Sequence, residues 1–271
     1  VVQDATRIAD YELVGALAEG GHGRFHLAVP PARLGLDVER VVVKVVAGGD
    51  ETAFRRFTRE LKLFARVTHP NLVRLFDAGQ HEDRFFYSME WCPAGTLDDP
   101  SALDVPARIR AVAEVARAAH ALHEAGIVHR DIRPGNVLLR ADGSAVLADL
   151  GLAQLGSSSM TSMASMSSIG YVDPELLRGG SAGRATDVYA LATTLHRVLT
   201  GEDVFAGLDP SDPMLAMRTV LRRPPTVRRD LLDERLAQII ESCLDAVVEA
   251  RPPTAEALAG LLDGSTGGTG A

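Results

Sequence analysis

His129-Arg130-Asp131-Ile132-Arg133-Pro134-Gly135-Asn136 is the stretch on which the reading of this chain turns. The apolar run Val137-Leu138-Leu139 follows it directly, and eighteen residues beyond Asp131 stands Asp149-Leu150-Gly151. The plain alternative is a turn rich in polar residues. Eight ordered positions followed by a second motif at fixed spacing weigh against it.

Outward from this stretch the chain changes character. Upstream, Arg24 to Val29, Val41 to Val46, Leu72 to Phe76 and Phe85 to Met89 are rich in Val, Leu and Phe between Gly, Pro and Asp turns, and are predicted to be strands. Glu51 to Val67 interrupts them with Phe54, Phe57, Leu61, Phe64 and Val67 on one arc and Arg55, Arg59, Lys62 and Arg66 opposite, the period of an amphipathic helix. After Pro93-Ala94-Gly95 the pattern becomes helical. Val105 to Glu124 puts Ile109, Val112, Val115, Ala116, Ala119 and Leu122 on one face. Thr186 reads as an N-cap for a helix from Asp187 to Leu199 that is apolar nearly all round, as a central helix would be. No internal repeat is found.

Composition narrows the classes. At 271 residues and 46% apolar, the chain can bury one large core or two small ones. Its net charge of −8, with Lys and Arg scattered or on short helical faces, favours neither nucleic acid nor an anionic membrane. Cys92 and Cys243 lie in different halves with no metal-ligand spacing, so neither a disulfide framework nor a zinc site is suggested, and a reducing, cytoplasmic compartment is expected. No apolar run approaches the ~20 residues that cross a bilayer. The chain starts without Met and ends in Gly264-Ser265-Thr266-Gly267-Gly268-Thr269-Gly270-Ala271, which reads as a flexible linker. A cytoplasmic piece of a larger or membrane-anchored protein is expected.

The two motifs resemble the catalytic loop H-R-D-L-x-x-x-N and the metal-binding turn D-F-G of eukaryotic-type protein kinases, at the family's spacing. The resemblance implies an α+β, two-lobed fold. Residues 1–92 would form a small antiparallel β-sheet lobe with one main helix, 93–263 a larger mostly helical lobe, and 264–271 a flexible tail. Phosphoryl transfer gathers charge on the γ-phosphate oxygens and needs a divalent metal on hard oxygen ligands. By resemblance, Asp131 orients the acceptor hydroxyl, Asn136 and Asp149 hold Mg²⁺ (or Mn²⁺ in its place), and Arg133 stands where the family has a Lys touching the γ-phosphate.

The same resemblance gives the remaining residues their roles. Gly20-Gly21-His22-Gly23, before Phe25, resembles the Gly-rich hairpin over the ATP phosphates, with Ala18 where its first glycine belongs; alone, such a turn is more often just a hairpin. Lys44 lies in Val41-Val42-Val43-Lys44-Val45-Val46, apolar on both sides, where an inward cation is costly unless paired. Glu60, inside the helix's apolar arc, is the expected partner, matching the family's Lys–Glu ion pair. Val42 stands where the family usually has Ala against adenine. Phe85 to Pro93 resembles the strand and hinge along adenine, with Met89 at the rear of the pocket and Glu90 and Cys92 in the hinge; Leu138 completes the nucleotide contacts. Cys92 reads as a small hinge residue rather than a reactive thiol.

Further along, Gln154 to Ser168 is rich in hydroxyls and poor in large apolar anchors, resembling an activation loop whose phosphate Arg130 would pair; the plain alternative is a flexible Ser-rich loop. Gly170-Tyr171-Val172-Asp173-Pro174-Glu175 resembles the A-P-E ending, with Asp173 for Ala, Ser168 in place of a Thr and Glu175 expected to pair with Arg251. Asp187 would brace the catalytic loop. Between Leu97 and the long helix there is little room for the family's usual short helix. Leu150 replaces Phe and should pack beneath the helix of Glu60.

The implied function is an ATP-dependent serine/threonine protein kinase, possessing Lys44, Glu60, Asp131, Asn136 and Asp149. Arg133-Pro134 resembles the Lys-Pro of Ser/Thr kinases. A protein substrate and a homodimer for trans-autophosphorylation are the expected partners. Two rivals stand beside it: a pseudokinase or scaffold module, suggested by Ala18, Val42 and Arg133, and a kinase of small molecules, against which Pro174-Glu175 and the Ser-rich loop speak. The Ala- and Arg-rich composition looks bacterial.

Overall fold

In the computed structural model, residues 7–20, 23–47, 50–149, 169–209 and 211–266 are described. The chain divides into two compact units, one of Val1–Arg66 with Val73–Cys92, the other of Val67–Leu72 with Pro93–Ala271.

The first unit is a six-stranded antiparallel sheet in the order β1-β2-β3-β4-β6-β5. Its strands are β1 (Arg7–Ile8), β2 (Tyr11–Gly20), β3 (Gly23–Val29), β4 (Val41–Ala47), β5 (Leu75–His81) and β6 (Arg84–Glu90). β-branched Val41, Val42, Val43 and Val45 are all buried in β4, which lies between β3 and β6. A strand with neighbours on both edges and apolar cover on both faces suits this Val-rich run, interrupted only by Lys44.

α1 (Glu51–Phe64) packs on the sheet through Phe57, whose ring stacks on Phe85 at 5.3 Å between centroids. Phe57, Leu61 and Phe64 are buried, about 1.5–3 kcal/mol each as transfer free energy. The helix ends at Phe64 rather than at the predicted Val67, its last turn tightening as Arg66 N–H donates to the Leu63 carbonyl at 3.2 Å.

Two strand boundaries also move. β5 begins at Leu75 and continues to His81, beyond the predicted Leu72 to Phe76. Its second half is polar, so period alone does not show it; the pairing with β6 holds it there, with Gly79 under the Phe86 ring, where a Cβ would come within 2.9 Å. Asp77 is held by the Tyr11 hydroxyl at 3.0 Å and by Arg33 at 2.5 Å.

Residues 67–72 join the helical unit, not the β-rich one to which the division at 92 assigned them. Leu147 N–H donates to the Asn71 carbonyl at 2.8 Å, the Asn71 amide donates to the Ala145 carbonyl at 2.8 Å, and Arg140 donates to the Pro70 carbonyl at 2.8 Å.

The second unit is built round α2 (Val105–Glu124) and α4 (Arg184–Thr200), with α3 (Pro174–Leu177), α5 (Pro213–Arg222), α6 (Glu234–Cys243) and α7 (Ala255–Thr266). A small hairpin, β7 (Val137–Leu139) with β8 (Ala145–Leu147), carries the polar loops. Asp104 caps α2, its carboxylate accepting from Ala107 N–H at 2.8 Å, and the predicted α2 face is buried. Between Leu97 and α2 there is only a short 3₁₀ turn, Pro100–Ala102. No helix among the described residues is long and apolar enough to cross a membrane.

Two helix ends correct the sequence reading. α4 starts at Arg184 with Gly183 at the cap, three residues before the predicted Asp187. Thr186 sits one turn in, its hydroxyl donating to the Gly183 carbonyl at 2.6 Å and accepting from Gly183 N–H at 3.3 Å. Gly264, Ser265 and Thr266 were read as linker but close α7, where the Ser265 hydroxyl donates to the Leu262 carbonyl at 2.6 Å. Buried Leu258 and Leu262 hold that helix to its unit; residues 267–271 lie outside those described.

Candidate active site

The loop His129 to Asn136 is irregular backbone, so its buried polar groups need partners from neighbouring elements. Asp187, in the first turn of α4 and 1% exposed, supplies them. Its carboxylate accepts from His129 N–H at 2.8 Å, from Arg130 N–H at 2.9 Å and from His123 Nε2 at 2.7 Å. Three donors on one buried carboxylate make it a rigid anchor for the loop. Arg130 takes a left-handed φ of 68° there, a conformation that costs energy in a non-glycine residue and persists because these bonds fix it.

His129 is fully buried, and burial lowers its pKa, leaving it neutral. Its Nε2 lies 3.2 Å from the Ala148 carbonyl and its Nδ1 3.4 Å from Asp131 N–H. The carbonyl can only accept, so the proton is on Nε2. Ala148 N–H in turn donates to the Asn136 carbonyl at 2.9 Å. Both peptide groups of Ala148 are therefore tied to the loop, which fixes where the next residue, Asp149, begins. Asp149 itself has φ 61°, a second left-handed non-glycine residue in this region.

Asp131 is 8% exposed. The Asn136 amide Nδ2 donates to its carboxylate at 2.8 Å and to its carbonyl at 2.7 Å, while Arg133 Nε stands 3.7 Å from the other carboxylate oxygen. Burial pushes the Asp131 carboxyl above the ordinary carboxylate range; Arg133 pulls it down and the charge of Asp149 pushes it up. Two carboxylates close enough to repel offer hard oxygen donors of the kind a divalent cation takes. Among the described residues no three His, Cys, Asp or Glu cluster at metal-binding distance. Leu138, half-buried, pairs with Val146 in the hairpin.

Most of the remaining predicted site residues lie on the first unit's sheet. Ala18 pairs with Phe25, Phe25 with Lys44, Lys44 with Tyr87, and Val42 with Met89, so strand pairing brings them together across β2, β3, β4 and β6. Lys44 is 3% exposed with its ammonium 4.8 Å from the centre of the Phe25 ring. Ala18 is exposed; Val42 and Met89 are buried. Gly20 pairs with Gly23, where φ is 137° and a Cβ would strike the Val45 carbonyl, so only glycine fits. Glu90 N–H donates to the Arg74 carbonyl at 2.9 Å, and Cys92 is buried.

Two expected ion pairs are not formed as read. Glu60 is half-buried at the edge of the α1 stripe, and among the described residues it makes no ion pair with Lys44. The stripe packs on the sheet through Phe57, Leu61 and Phe64, and Glu60 falls outside it. Arg251 pairs with Asp173, not Glu175: its guanidinium donates to the two Asp173 oxygens at 2.5 and 3.2 Å, both side chains almost wholly buried. Glu175 is 45% exposed and 3.9 Å from Arg178. Asp173 caps α3, accepting from Glu175 N–H at 3.0 Å, and that position turns its carboxylate inward.

His123 was missed by sequence reasoning. It sits one residue past Leu122 at the end of the buried α2 face, and nothing in the pattern separates it from a packing residue. Gly21, His22, Leu150, Gly151 and the Ser-rich stretch to Ser168 lie outside the described residues.

A β-sheet unit with a buried lysine and a glycine-closed hairpin, a helical unit with a braced His-Arg-Asp loop, and an Asp following the hairpin are the parts of a protein-kinase domain. The chain belongs to the protein kinase family: residues 11–260 match the protein kinase domain. It is 31% identical over 256 residues to the serine/threonine-protein kinase PknB of Mycobacterium leprae, covering 90% of this chain and 41% of the relative. It is 36% identical over 233 residues to PknJ of Mycobacterium tuberculosis, 81% of this chain and 38% of the relative. It is 33% identical over 264 residues to the DNA damage-responsive serine/threonine-protein kinase RqkA of Deinococcus radiodurans, 93% of this chain and 39% of that protein. The chain thus spans about two fifths of the length of these bacterial relatives.

Proposed function

We propose that this chain transfers the γ-phosphate of ATP to serine or threonine hydroxyls of a protein acceptor. The observation that carries the reading is the Asp131 carboxylate, buried, aligned by Asn136 and flanked by Arg133 on a loop braced by Asp187. In this role Asp131 accepts a hydrogen bond from the acceptor hydroxyl and takes its proton as the oxygen attacks. Arg133 places a delocalised cation where charge builds on the transferred group. Asn136 fixes the rotamer of Asp131, so little reorganisation is needed during the reaction. Lys44 is assigned to the α- and β-phosphates and the Gly20 to Gly23 turn to backbone contacts with them. Val42, Met89, Glu90, Cys92 and Leu138 are assigned to adenine.

Asn136 and Asp149 would hold Mg²⁺, which supplies neutralisation of phosphate charge when bound. Glu60 is assigned a positioning role through α1. The relatives' names support the serine/threonine acceptor. We place the chain on the cytoplasmic side, where ATP is available, within a longer protein, and assign autophosphorylation in trans within a homodimer to the Ser-rich stretch before Ser168.

The test is incubation with Mg-ATP, with and without a generic protein acceptor, read by intact mass beside Asp131→Asn. Phosphate gained by the unaltered chain or its acceptor, and not by the variant, is expected. Nucleotide binding without any gain would replace this reading with that of a pseudokinase, and gain only with small-molecule acceptors would redirect it to another kinase class.

A further inference from the structure

The helical unit contains a cavity of about 440 Å³ that the catalytic reading does not use, bordered by α3, α4, the end of α5 with the following Pro224-Pro225, and the end of α6. Its walls carry an imbalance of hydrogen-bonding groups. Tyr189, on α4, lines it at 1% exposure, and its hydroxyl has no partner among the described residues. Arg222 and Arg223 line it too, and neither guanidinium makes an ion pair or hydrogen bond among the described residues. Among the described residues Arg178 has only the long 3.9 Å contact with Glu175.

The acids of the lining are already occupied. Asp173 is held by Arg251, and Glu241 receives Arg229 at 2.6 Å. Arg251 also lies over the Tyr189 ring, 5.2 Å from its centre. What remains is donors: three exposed guanidinium groups and one buried phenol O–H. A guanidinium has no acceptor to offer that hydroxyl. The complement is a group rich in acceptor oxygen and negatively charged.

Size narrows the class. The cavity is in the range of small-molecule sites and far exceeds one phosphate ion, and Val220, Leu244 and Pro224 give it apolar wall for an organic body. We propose that this cavity binds a phosphate monoester, its oxygens taken by Arg222, Arg223, Arg178 and the Tyr189 hydroxyl and its organic part by the apolar wall. A phosphorylated serine or threonine of a peptide and a free phosphorylated small molecule present the same chemistry. The proposal does not depend on catalysis, because none of its residues belongs to the His129 to Asn136 loop or is Asp149.

The experiment titrates the full chain, its nucleotide site saturated with Mg-ADP, with O-phospho-L-serine, phenyl phosphate and a phosphoserine peptide. Serine and sulfate at matched ionic strength are the controls. Calorimetry gives affinity and backbone amide shifts give location. Saturable binding is expected for the phosphate esters, with shifts at 220–227 and at Tyr189. Affinity should fall roughly tenfold or more in Tyr189→Phe and further in Arg222→Ala with Arg223→Ala. Tyr189→Phe should melt no lower than the unaltered chain, because the hydroxyl it removes has no partner to lose. Tighter binding of the peptide than of phosphoserine identifies a phosphorylated segment as the ligand; equal binding identifies the small ester. Absence of saturable binding, an equal response to sulfate, binding untouched by both variants, or a Tyr189→Phe melting loss typical of a broken hydrogen bond would each overturn the proposal.

Discussion

Replacing Asp173 by Asn should cost this protein far more stability than replacing Glu175 by Ala, the reverse of what the family's A-P-E motif leads one to expect. The Asp173–Arg251 pair is buried, at 1% and 2% side-chain exposure, so losing the carboxylate charge strands a guanidinium in a poorly solvated interior. Breaking such a pair costs about 3–5 kcal/mol. Arg251 keeps the Asp245 carbonyl at 2.8 Å and the Ala185 carbonyl at 3.2 Å, and Asn retains the cap to Glu175 N–H, which places the expected loss near the lower end. At about 2–4 °C per kcal/mol for a chain of this size, the melting point should fall by roughly 6–12 °C. Glu175 is 45% exposed with one 3.9 Å contact, so Glu175→Ala should cost at most about 0.5 kcal/mol and under about 2 °C. Differential scanning calorimetry of the two variants side by side decides it. A Glu175→Ala loss equal to or greater than that of Asp173→Asn would refute the assignment.

Three further outcomes are expected. Asp187→Ala strands the N–H groups of His129 and Arg130 and the His123 ring, and should lower kcat at least about a hundredfold and melting by several degrees; His123→Phe, which removes one of the three donors, should show a much smaller loss, and equal losses would argue against a shared anchor. Burial raises the Asp131 pKa above its ordinary 3.8, so the folded state holds that proton more tightly than the unfolded chain and ionising it costs stability. In metal-free buffer Asp131→Asn should therefore melt higher at neutral pH, with the difference present above the raised folded-state pKa and fading as pH falls through it toward 3.8; thermal scans across pH that show a constant or opposite difference would contradict this. Burial also pushes the Cys243 thiol up to about 12, so iodoacetamide at pH 8 should leave it unlabelled in the folded chain and label it on denaturation, which peptide mass mapping would show.

How far a residue was legible depended on how local its signal is. The Val run of β4 and the buried face of α2 announce themselves by period and composition, because one element decides which way their side chains point. β5 did not: its polar second half is a strand only because β6 lies beside it. Gly264 and Ser265 looked like linker by composition, yet the buried Leu258 and Leu262 of the same helix carry them into α7. Glu60 seemed to belong inside the α1 arc, but it is half-buried at the edge of the face that Phe57, Leu61 and Phe64 bury.

The sequence by itself determined the family, the order of the elements and the identity of the polar residues at the candidate site. Motif and period are properties of neighbouring positions along the chain, and those positions are fixed by covalent spacing. Only the tertiary structure decided which charges meet: Arg251 with Asp173 rather than Glu175, and His123 joining Asp187 beneath the His129 loop. The cost of an unpaired buried charge is settled by whichever partner the packing brings within hydrogen-bonding distance. That choice joins residues 64 and 78 positions apart, where no spacing rule reaches.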